Sequence, residues 1–296
     1  MKINSISTDD NEYINILTSV NKPPEKLYYI GILPPKRQPT IAIVGTRKPT
    51  SYGKEVAYKF AYDLAKRGVI IISGLALGID AIGHRACLDA GGTTIAVLGN
   101  GLHKIYPSTN RKLGEDIIDK GGSIISEFQE GIEPLPFNFL KRNRIISGLA
   151  DAVIIIEAAS RSGTLNTATH ALNQGKDVFA VPGNITSPLS AGCNALLKQG
   201  AIPATSVEDI LEVINLQNQE NQNPKQISLP VGDTPLENTI IELLNQGVCD
   251  GDELQKQAKA EISDFNTALT MLEINGIIKP LGANKWCLRQ NITATS

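Results

Sequence analysis

Between residues 41 and 205 the chain repeats one pattern of apolar and polar positions. A short run of β-branched and other apolar residues is followed by a turn containing Gly or Ser, and then by a longer helical stretch. The apolar runs are continuous rather than alternating, which is typical of strands covered on both faces, so the pattern predicts an α/β fold with a doubly wound parallel sheet. The predicted strands are residues 41–45, 69–73, 93–98, 122–126, 152–156 and 177–181.

The stretches between these runs have recognisable helix boundaries. Gly68 and the pair Gly91 and Gly92 are predicted helix stops, and Asn110 is a predicted helix cap. The predicted helices are residues 52–67, 80–90, 138–149, 163–174, 192–199 and 207–214, with a further helix after Asn110.

A polar segment divides the chain. Eight of the twelve residues from 215 to 226 are Asn or Gln, and the stretch also contains Pro224 with Pro230 after it, so residues 215–233 are predicted to be a linker. Beyond it we predict helices at 235–244 and 251–258, a third helix capped by Ser263 and running to 275, and a small hairpin, which together suggest a winged helix. The predicted domains are a short N-terminal extension (1–40), a core (41–214), the linker and a winged-helix domain (234–296).

Composition narrows the function classes. The chain has 296 residues and a formal net charge of −2, so no global basic field attracts nucleic acid, and a histone-like binder is excluded. The four cysteines and three histidines complete no sequence-local metal or redox motif. The polar N-terminus and the short length of the densest apolar run, AVIIIEAA, predict a soluble cytoplasmic protein that contacts no membrane.

The residues that follow the predicted strands point to a phosphate-bearing ligand. In an open parallel sheet the ligand crevice lies at the carboxyl ends of the strands, where small residues before a helix leave backbone N–H groups free for anions. Neither GxGxxG nor GxxxxGK[ST] occurs, and Ser73 rather than an acidic residue ends the second predicted strand. A dinucleotide is therefore disfavoured and a P-loop ATPase is excluded, so no cofactor is predicted.

Basic residues near the crevice favour a polynucleotide. Arg47 directly follows Gly45 and Thr46, which aims a guanidinium at the crevice. In FNFLKRNRIISGLAD, basic side chains lie beside phenylalanines, a combination that binds single strands without sequence readout. The alternative is a solvated basic helix with its phenylalanines in the core. The basic residues of this segment are Lys141, Arg142 and Arg144, and Lys104 with Tyr106 would extend the patch unless Tyr106 only packs in a turn.

Catalytic groups are sparse. Glu157 ends the fifth predicted strand and is the one carboxylate placed to act as a general base, but it has no paired acid, so a structural hydrogen-bonding role is favoured. His84 and His170 are interpreted as partly buried helix residues. The crevice is therefore predicted to bind rather than to react, and no catalytic or metal-binding residues are assigned.

The C-terminal module is acidic. Residues 233–296 contain five basic and nine acidic side chains, and no Lys or Arg occurs between Ile262 and Asn275, where a DNA-reading winged helix needs them. We therefore predict a protein-contact or regulatory module, with weak DNA contact through Lys279 and Lys285 as the alternative.

Several ordered motifs resemble the DprA (Smf) family of DNA-processing proteins. They are IAIVGTRKPTSYG, SGLALGIDAIGHRACLDAGGTTIAVLGNGLHKIYPSTN, GSIISEF, PFNFLKRNRIISGLADAVIIIEAASRSGTLNTATHAL and VFAVPGNITSPLSAGCNALLKQGA. The resemblance covers residues 41–205. It implies an extended Rossmann-like core that binds single-stranded DNA, dimerises, and loads the recombinase RecA onto incoming DNA during natural transformation, without catalysis.

The resemblance also assigns site residues. Arg47 stands in the family's GSR turn, here GTR. The other residues that match the family's motifs are Gly74, Gly78 and Asp80 in SGLxxGID; Gly99, Gly101 and Tyr106 in LGxGxxxxYP; Arg142, Asn143 and Arg144 in RNRIISGL; and Ser162 and Gly163 in the SGT turn. The predicted DNA-binding set consists of these residues without Asp80 and Tyr106, together with Gly45, Lys104 and Lys141 from the chemistry above. Many relatives carry a helical module ahead of the core, whereas about 40 residues precede Ile41 here, so its role is expected to be missing or reduced.

Two other readings remain open. One is a nucleotide phosphoribohydrolase of the lysine-decarboxylase-like group, which carries PGGxGTxxE; the matching stretch here, EAASRSGTLNTA, has Asn166 and Thr167 after the turn and no Glu. The other treats the acidic C-terminal module as the primary functional element, in a regulator that docks on a protein.

Overall fold

The structure is a computed structural model that describes residues 2–219, 232–245, 248–282 and 284–288. The chain divides into two compact units, Met1–Gln222 and Asn223–Ser296. No helix in the described ranges is both long and apolar enough to cross a membrane.

A nine-stranded sheet forms the centre of the first unit. Its strands are β1 (Asn4–Ser7), β2 (Lys26–Gly31), β3 (Thr40–Val44), β4 (Ile70–Ser73), β5 (Thr94–Val97), β6 (Ser123–Ser126), β7 (Ala152–Ile155), β8 (Asp177–Ala180) and β9 (Ile202–Pro203). They lie in the order β1-β2-β6-β5-β4-β3-β7-β8-β9. The pairs β1–β2 and β2–β6 are antiparallel and the other pairs are parallel. The predicted α/β fold is confirmed.

Helices cover both faces of this sheet. They are α1 (Ser51–Lys66), α2 (Ile79–Asp89), α3 (Arg111–Asp119), α4 (Pro136–Leu149), α5 (Thr164–Asn173), α6 (Ala191–Lys198) and α7 (Val207–Gln219). In β3, Ile41 and Ile43 point into the cluster that contains α1 and α2, while Ala42 and Val44 point into the cluster that contains α4 and α5. All four are at most 4% exposed, which explains why the apolar run does not alternate.

The segment predicted as an N-terminal extension is part of the sheet. Strands β1 and β2 extend it beyond β6, with Leu27 and Ile30 buried. Before β3, the Tyr13 hydroxyl lies 3.0 Å from the Thr40 hydroxyl oxygen in the core. The strands escape the sequence pattern because they lie at or next to the sheet edge, where polar residues such as Asn4 and Lys26 are tolerated.

The second unit contains three helices and a hairpin. Helices α8 (Pro235–Asn245), α9 (Gly251–Ala258) and α10 (Ile262–Ile274) precede the antiparallel strands β10 (Ile278–Gly282) and β11 (Lys285–Leu288). Helix α10 starts one residue before Ser263, with Glu261 at its N-cap, so the predicted cap is wrong. The winged-helix assignment stays a prediction.

The predicted linker lies partly outside the described residues. Helix α7 continues to Gln219, five residues beyond its predicted end, although Asn and Gln dominate this stretch. Residues 220–231 lie outside the described ranges.

Candidate functional site

A cleft lies where the order of the strands in the sheet reverses, between β3 and β7. Strands β3 and β7 are neighbours, but the chain leaves β3 towards β4 and leaves β7 towards β8 on the opposite side. The turns after these two strands therefore separate, and this is where open α/β sheets bind ligands. A cavity of about 480 Å³ lies there, and we call it the switch-point cleft. It is lined by residues that include Gly45, Arg47, Lys48, Phe139, Arg142, Asn143, Ser162, Gly163 and Thr164.

Two glycines allow the turn after β3 to lie against the start of α2. A Cβ at Gly45 would come within 2.6 Å of the Ile79 side chain, and one at Gly78 would come within 2.4 Å of the Thr46 carbonyl oxygen. Gly78 also has a φ of +80°, which favours glycine. The Ile79 N–H donates to the Thr46 carbonyl (3.2 Å), so this close approach fixes the backbone that carries Arg47.

Arg142 forms the buried wall of the cleft. It is 5% exposed, and its guanidinium donates to the Gly74 carbonyl (3.0 Å), to the Val97 carbonyl, and to Asn143 Oδ1 (3.2 Å). A Cβ at Gly74 would lie 2.5 Å from this guanidinium, so Gly74 makes room for the arginine. Burial lowers the pKa of Arg142 to about 10, and Asp80 opposes that shift.

Asp80 accepts hydrogen bonds from the backbone of the turn that follows β4. Its carboxylate accepts from the Gly74 N–H (3.1 Å) and the Ala76 N–H (3.4 Å). Burial raises the pKa of Asp80, while the Arg142 charge and these hydrogen bonds lower it. These two backbone amides are therefore occupied by the protein's own carboxylate and not left for a ligand, which the sequence pattern did not reveal.

Arg47 and Lys48 form the rim of the cleft. Both residues are exposed, and neither side chain forms a hydrogen bond or ion pair within the part of the chain that the structure describes. Across the cleft the Thr164 hydroxyl donates to the Gly45 carbonyl (3.0 Å), which brings the N-terminus of α5 to the same place. A cationic rim and a helix N-terminus suit an anion.

An aromatic pair extends the cleft. The rings of Tyr106 and Phe139 stack with centroids 5.7 Å apart, and Tyr106 is 43% exposed. Both line a small cavity, of about 80 Å³, together with Arg47 and Arg142. A Cβ at Gly99 would lie 2.7 Å from the Phe139 ring, so this glycine lets the ring pack.

The basic residues of α4 diverge. Arg142 enters the cleft, whereas Arg144 is bound to Glu127 (2.5 Å) and Lys141 is bound to the same carboxylate (3.1 Å). Neither Lys141 nor Arg144 lines the switch-point cleft. Phe137, predicted as a stacking or core residue, is 63% exposed. The structure therefore brings one of the three α4 cations to the cleft, because positions 141, 142 and 144 face different sides of a helix.

Gly101 and Lys104 lie apart from the cleft. The Lys104 ammonium is paired with Glu133, and Lys104 lines a separate cavity near Tyr106. A Cβ at Gly101 would lie 2.3 Å from the Gln129 carbonyl oxygen, so this glycine serves a close backbone approach.

The candidate reactive groups have structural partners. Glu157 is 2% exposed and accepts from the Thr50 N–H (3.0 Å) and the Thr50 hydroxyl (2.5 Å) at the start of α1, so the structural interpretation is confirmed. His84 is fully buried with Nδ1 2.7 Å from the Thr94 hydroxyl oxygen. Within the described residues no three His, Cys, Asp or Glu side chains are placed to hold a metal.

Sequence reasoning missed Lys48 and Thr164 as cleft residues. Lys48 adjoins Arg47 in the turn after β3, and Thr164 adjoins the predicted Ser162 and Gly163, so adjacency was the available signal. They line the cleft only because β3 and β7 lie side by side. The paired residues of these two strands are more than 100 positions apart in the sequence.

Comparisons with known proteins agree on a family. The model of the family described as DNA recombination-mediator protein A matches residues 4–215. Protein Smf of Escherichia coli is 46% identical over 212 residues, which make up 72% of this chain and 56% of that protein. The chain thus spans little more than half of that relative's length.

Two solved structures are similar to the chain. The crystal structure of DNA processing protein A from Streptococcus pneumoniae has a TM-score of 0.64 and 39% identity, covering 72% of this chain and 74% of that one. The structure of DNA processing protein A from Helicobacter pylori, described by its single-stranded DNA binding mode, has a TM-score of 0.64 and 31% identity, covering 74% and 97%.

Proposed function

This chain belongs to the DNA recombination-mediator protein A family, and from that premise we propose that it binds single-stranded DNA in the switch-point cleft and mediates recombination without chemical catalysis. The observation that carries the proposal is Arg47, an exposed cation without a protein partner in the described residues, held over a cleft at the carboxyl edge of the sheet. A related protein, from H. pylori, is described by its single-stranded DNA binding mode.

The proposed contacts follow from the chemistry of the lining. Phosphates bind at Arg47 and Lys48 and at the N-terminus of α5, near Ser162 and Gly163. Bases stack on the exposed face of the pair formed by Tyr106 and Phe139. Arg142 and Asn143 form the wall. Since none of these groups reads base edges in a duplex groove, binding is independent of sequence.

The rest of the predicted basic set acts indirectly. Lys141 and Arg144 bind Glu127 and position α4, so we propose that they support the cleft rather than contact phosphate. Gly74, Gly78, Gly99 and Gly101 act through the close approaches that they permit.

RecA loading, homodimerisation and a cytoplasmic location complete the proposal. The family description, a recombination mediator, supports the first, and two clefts in a dimer would raise avidity through effective concentration. We propose that the acidic second unit contacts protein rather than DNA, since α10 carries no Lys or Arg. Faster RecA assembly on a single strand in the presence of the chain, and a dimer mass in solution, would support these assignments.

The phosphoribohydrolase reading is not favoured. At the positions where that group needs a glutamate, Asn166 accepts a hydrogen bond from the Asn143 amide (3.2 Å) and Thr167 is 2% exposed. A buried carboxylate, that of Glu157, does follow β7, but it accepts hydrogen bonds from Thr50. Release of adenine from AMP by the purified chain would contradict a purely binding function.

Equilibrium binding of a fluorescent oligothymidylate tests the proposal. We expect the full chain to prefer the single strand over a duplex of equal length, and deletion of residues 216–296 to leave that affinity within about twofold. The same affinity for both forms of DNA, or loss of binding on the deletion, would contradict the assignment of the site to the first unit.

A further inference from the structure

A second cavity adjoins the switch-point cleft between the N-terminal ends of α1 and α2. Its volume is about 630 Å³, and it shares Arg47 and Lys48 with the cleft. The cations that line it are Arg47, Lys48, Lys54 and Arg85, and we call it the basic groove. None of its lining residues, all within the described part of the chain, is acidic.

The cations of the basic groove are unneutralised. Arg47, Lys48, Lys54 and Arg85 are all exposed, and their side chains form no ion pair or hydrogen bond with a described residue. Elsewhere in this unit, Lys104, Lys141 and Arg144 are each held by a carboxylate. Four free cations around one groove produce a local positive field although the chain is slightly acidic overall.

The shape and floor of the groove suit an extended polyanion. Leu77, Ala81 and Ile82 supply an apolar floor, and the positive ends of the α1 and α2 dipoles add to the field. Arg85 lies six residues beyond Ile79, so the cations continue about 9 Å along α2 from its start. At about 3.4 Å per stacked nucleotide, this length accommodates two to three further phosphates.

We infer that the basic groove carries the single strand onward from the switch-point cleft, with Lys54 and Arg85 binding phosphates of nucleotides beyond those in the cleft. The inference rests on the proposed function and extends it. Arg47 stands at the junction, because it lines the cleft, the aromatic cavity and the groove. No aromatic ring lines the groove, so it holds the backbone electrostatically and its contribution depends strongly on salt.

The length of the DNA separates the two sites. Oligothymidylates of about 5 and about 15 nucleotides are titrated against the full chain and the double variant Lys54→Gln/Arg85→Gln. Losing two phosphate contacts should lower the affinity for the longer strand about tenfold at low salt and reduce the magnitude of its log–log salt slope by about 1.4. Affinity for the short strand should change less than about twofold, because the switch-point cleft is intact.

A matched control keeps the charge change and moves it elsewhere. Lys59 and Lys120 are exposed and line neither cavity, so Lys59→Gln/Lys120→Gln should bind both strands like the wild type. An unchanged affinity of Lys54→Gln/Arg85→Gln for the longer strand, with normal binding of the short one, would overturn the inference and leave the proposed function standing. Failure of the wild type to bind either single strand would overturn both.

Discussion

The wall and the rim of the switch-point cleft carry arginines in opposite situations. Arg142, in the wall, is 5% exposed and donates to two backbone carbonyls with Asp80 nearby, whereas Arg47, on the rim, is exposed and has no partner among the described residues. A buried charge must be satisfied by the protein itself, so the wall stabilises the fold. A free charge at a cleft is available to a ligand, so we propose that the rim binds the phosphates of the DNA.

The largest expected effect is on the stability of the wall. Arg142→Leu removes the donors to Gly74 and Val97 and leaves the buried Asp80 carboxylate without its nearby cation. We expect the free energy of unfolding to fall by about 3 kcal/mol or more, measured by urea denaturation followed by far-UV circular dichroism. Arg142→Lys, which keeps the charge, should lose less, and an unchanged midpoint for Arg142→Leu would show that the wall is not structural.

A smaller effect, on the pH dependence of stability, follows from His84, which lies on α2 and is fully buried. Burial, with the Arg142 charge second, lowers its pKa to about 3 from 6.5. Because the folded pKa lies below the unfolded one, the stabilisation is present above pH 6.5 and is lost as the pH falls towards 3. Between pH 6.5 and 4.5 the wild type should lose about 2 kcal/mol more than His84→Gln, since groups common to both cancel.

Urea unfolding at several pH values measures this difference. The Thr94 hydroxyl donates to the Ile71 carbonyl (2.6 Å), so neutral His84 donates to Thr94 from Nδ1 and has a buried Nε2 without a partner in the described residues. Parallel pH profiles of the two proteins would mean that His84 takes up its proton without unfolding.

The rim should show a binding effect without a stability effect. Arg47→Ala should weaken binding of a single strand about fivefold to tenfold at low salt and lower the magnitude of the salt slope by about 0.7. Since Arg47 has no partner among the described residues, the free energy of unfolding should change by less than about 0.5 kcal/mol. Fluorescence anisotropy and urea denaturation of the same preparation measure both. A change in stability with unchanged affinity would reverse the roles of wall and rim.

The smallest effect is expected at Lys104. Its ammonium is paired with Glu133 at a separate, exposed cavity, and exposed ion pairs contribute little to stability. Lys104→Ala should therefore change the equilibrium constant for unfolding by less than about twofold. The dissociation constant for a single strand should also change by less than about twofold. A loss of affinity as large as that of Arg47→Ala would place Lys104 on the DNA path.

The sequence predicted the central sheet well but missed its edges. Continuous apolar runs such as that of β3 identify strands buried on both faces, because both faces of such a strand require apolar side chains. Strands β1 and β9 are short edge strands of four and two residues, and one-sided or partial burial leaves no such pattern. Helix α4 begins at Pro136, two residues earlier than predicted, because proline is favourable in the first turn.

The site was predictable only in part. Arg47 could be placed because a strand end and a small-residue turn fix its position relative to the crevice. The sequence identified Arg144 and Lys141 as cations, but their neutralisation depends on Glu127, which precedes α4 by about ten residues and reaches both through tertiary packing. Charge counting along a chain therefore overestimates the number of cations available to a ligand.

Photocross-linking of a 5-iodouracil-substituted single strand to the full chain, followed by peptide mass spectrometry, locates the DNA on the molecule. Because Tyr106 and Phe139 form an aromatic surface beside Arg47, we expect cross-links to one of these two rings and their loss in Arg47→Ala at moderate salt. Cross-links confined to residues of the second unit, or cross-links in the first unit that avoid the switch-point cleft, would contradict this expectation.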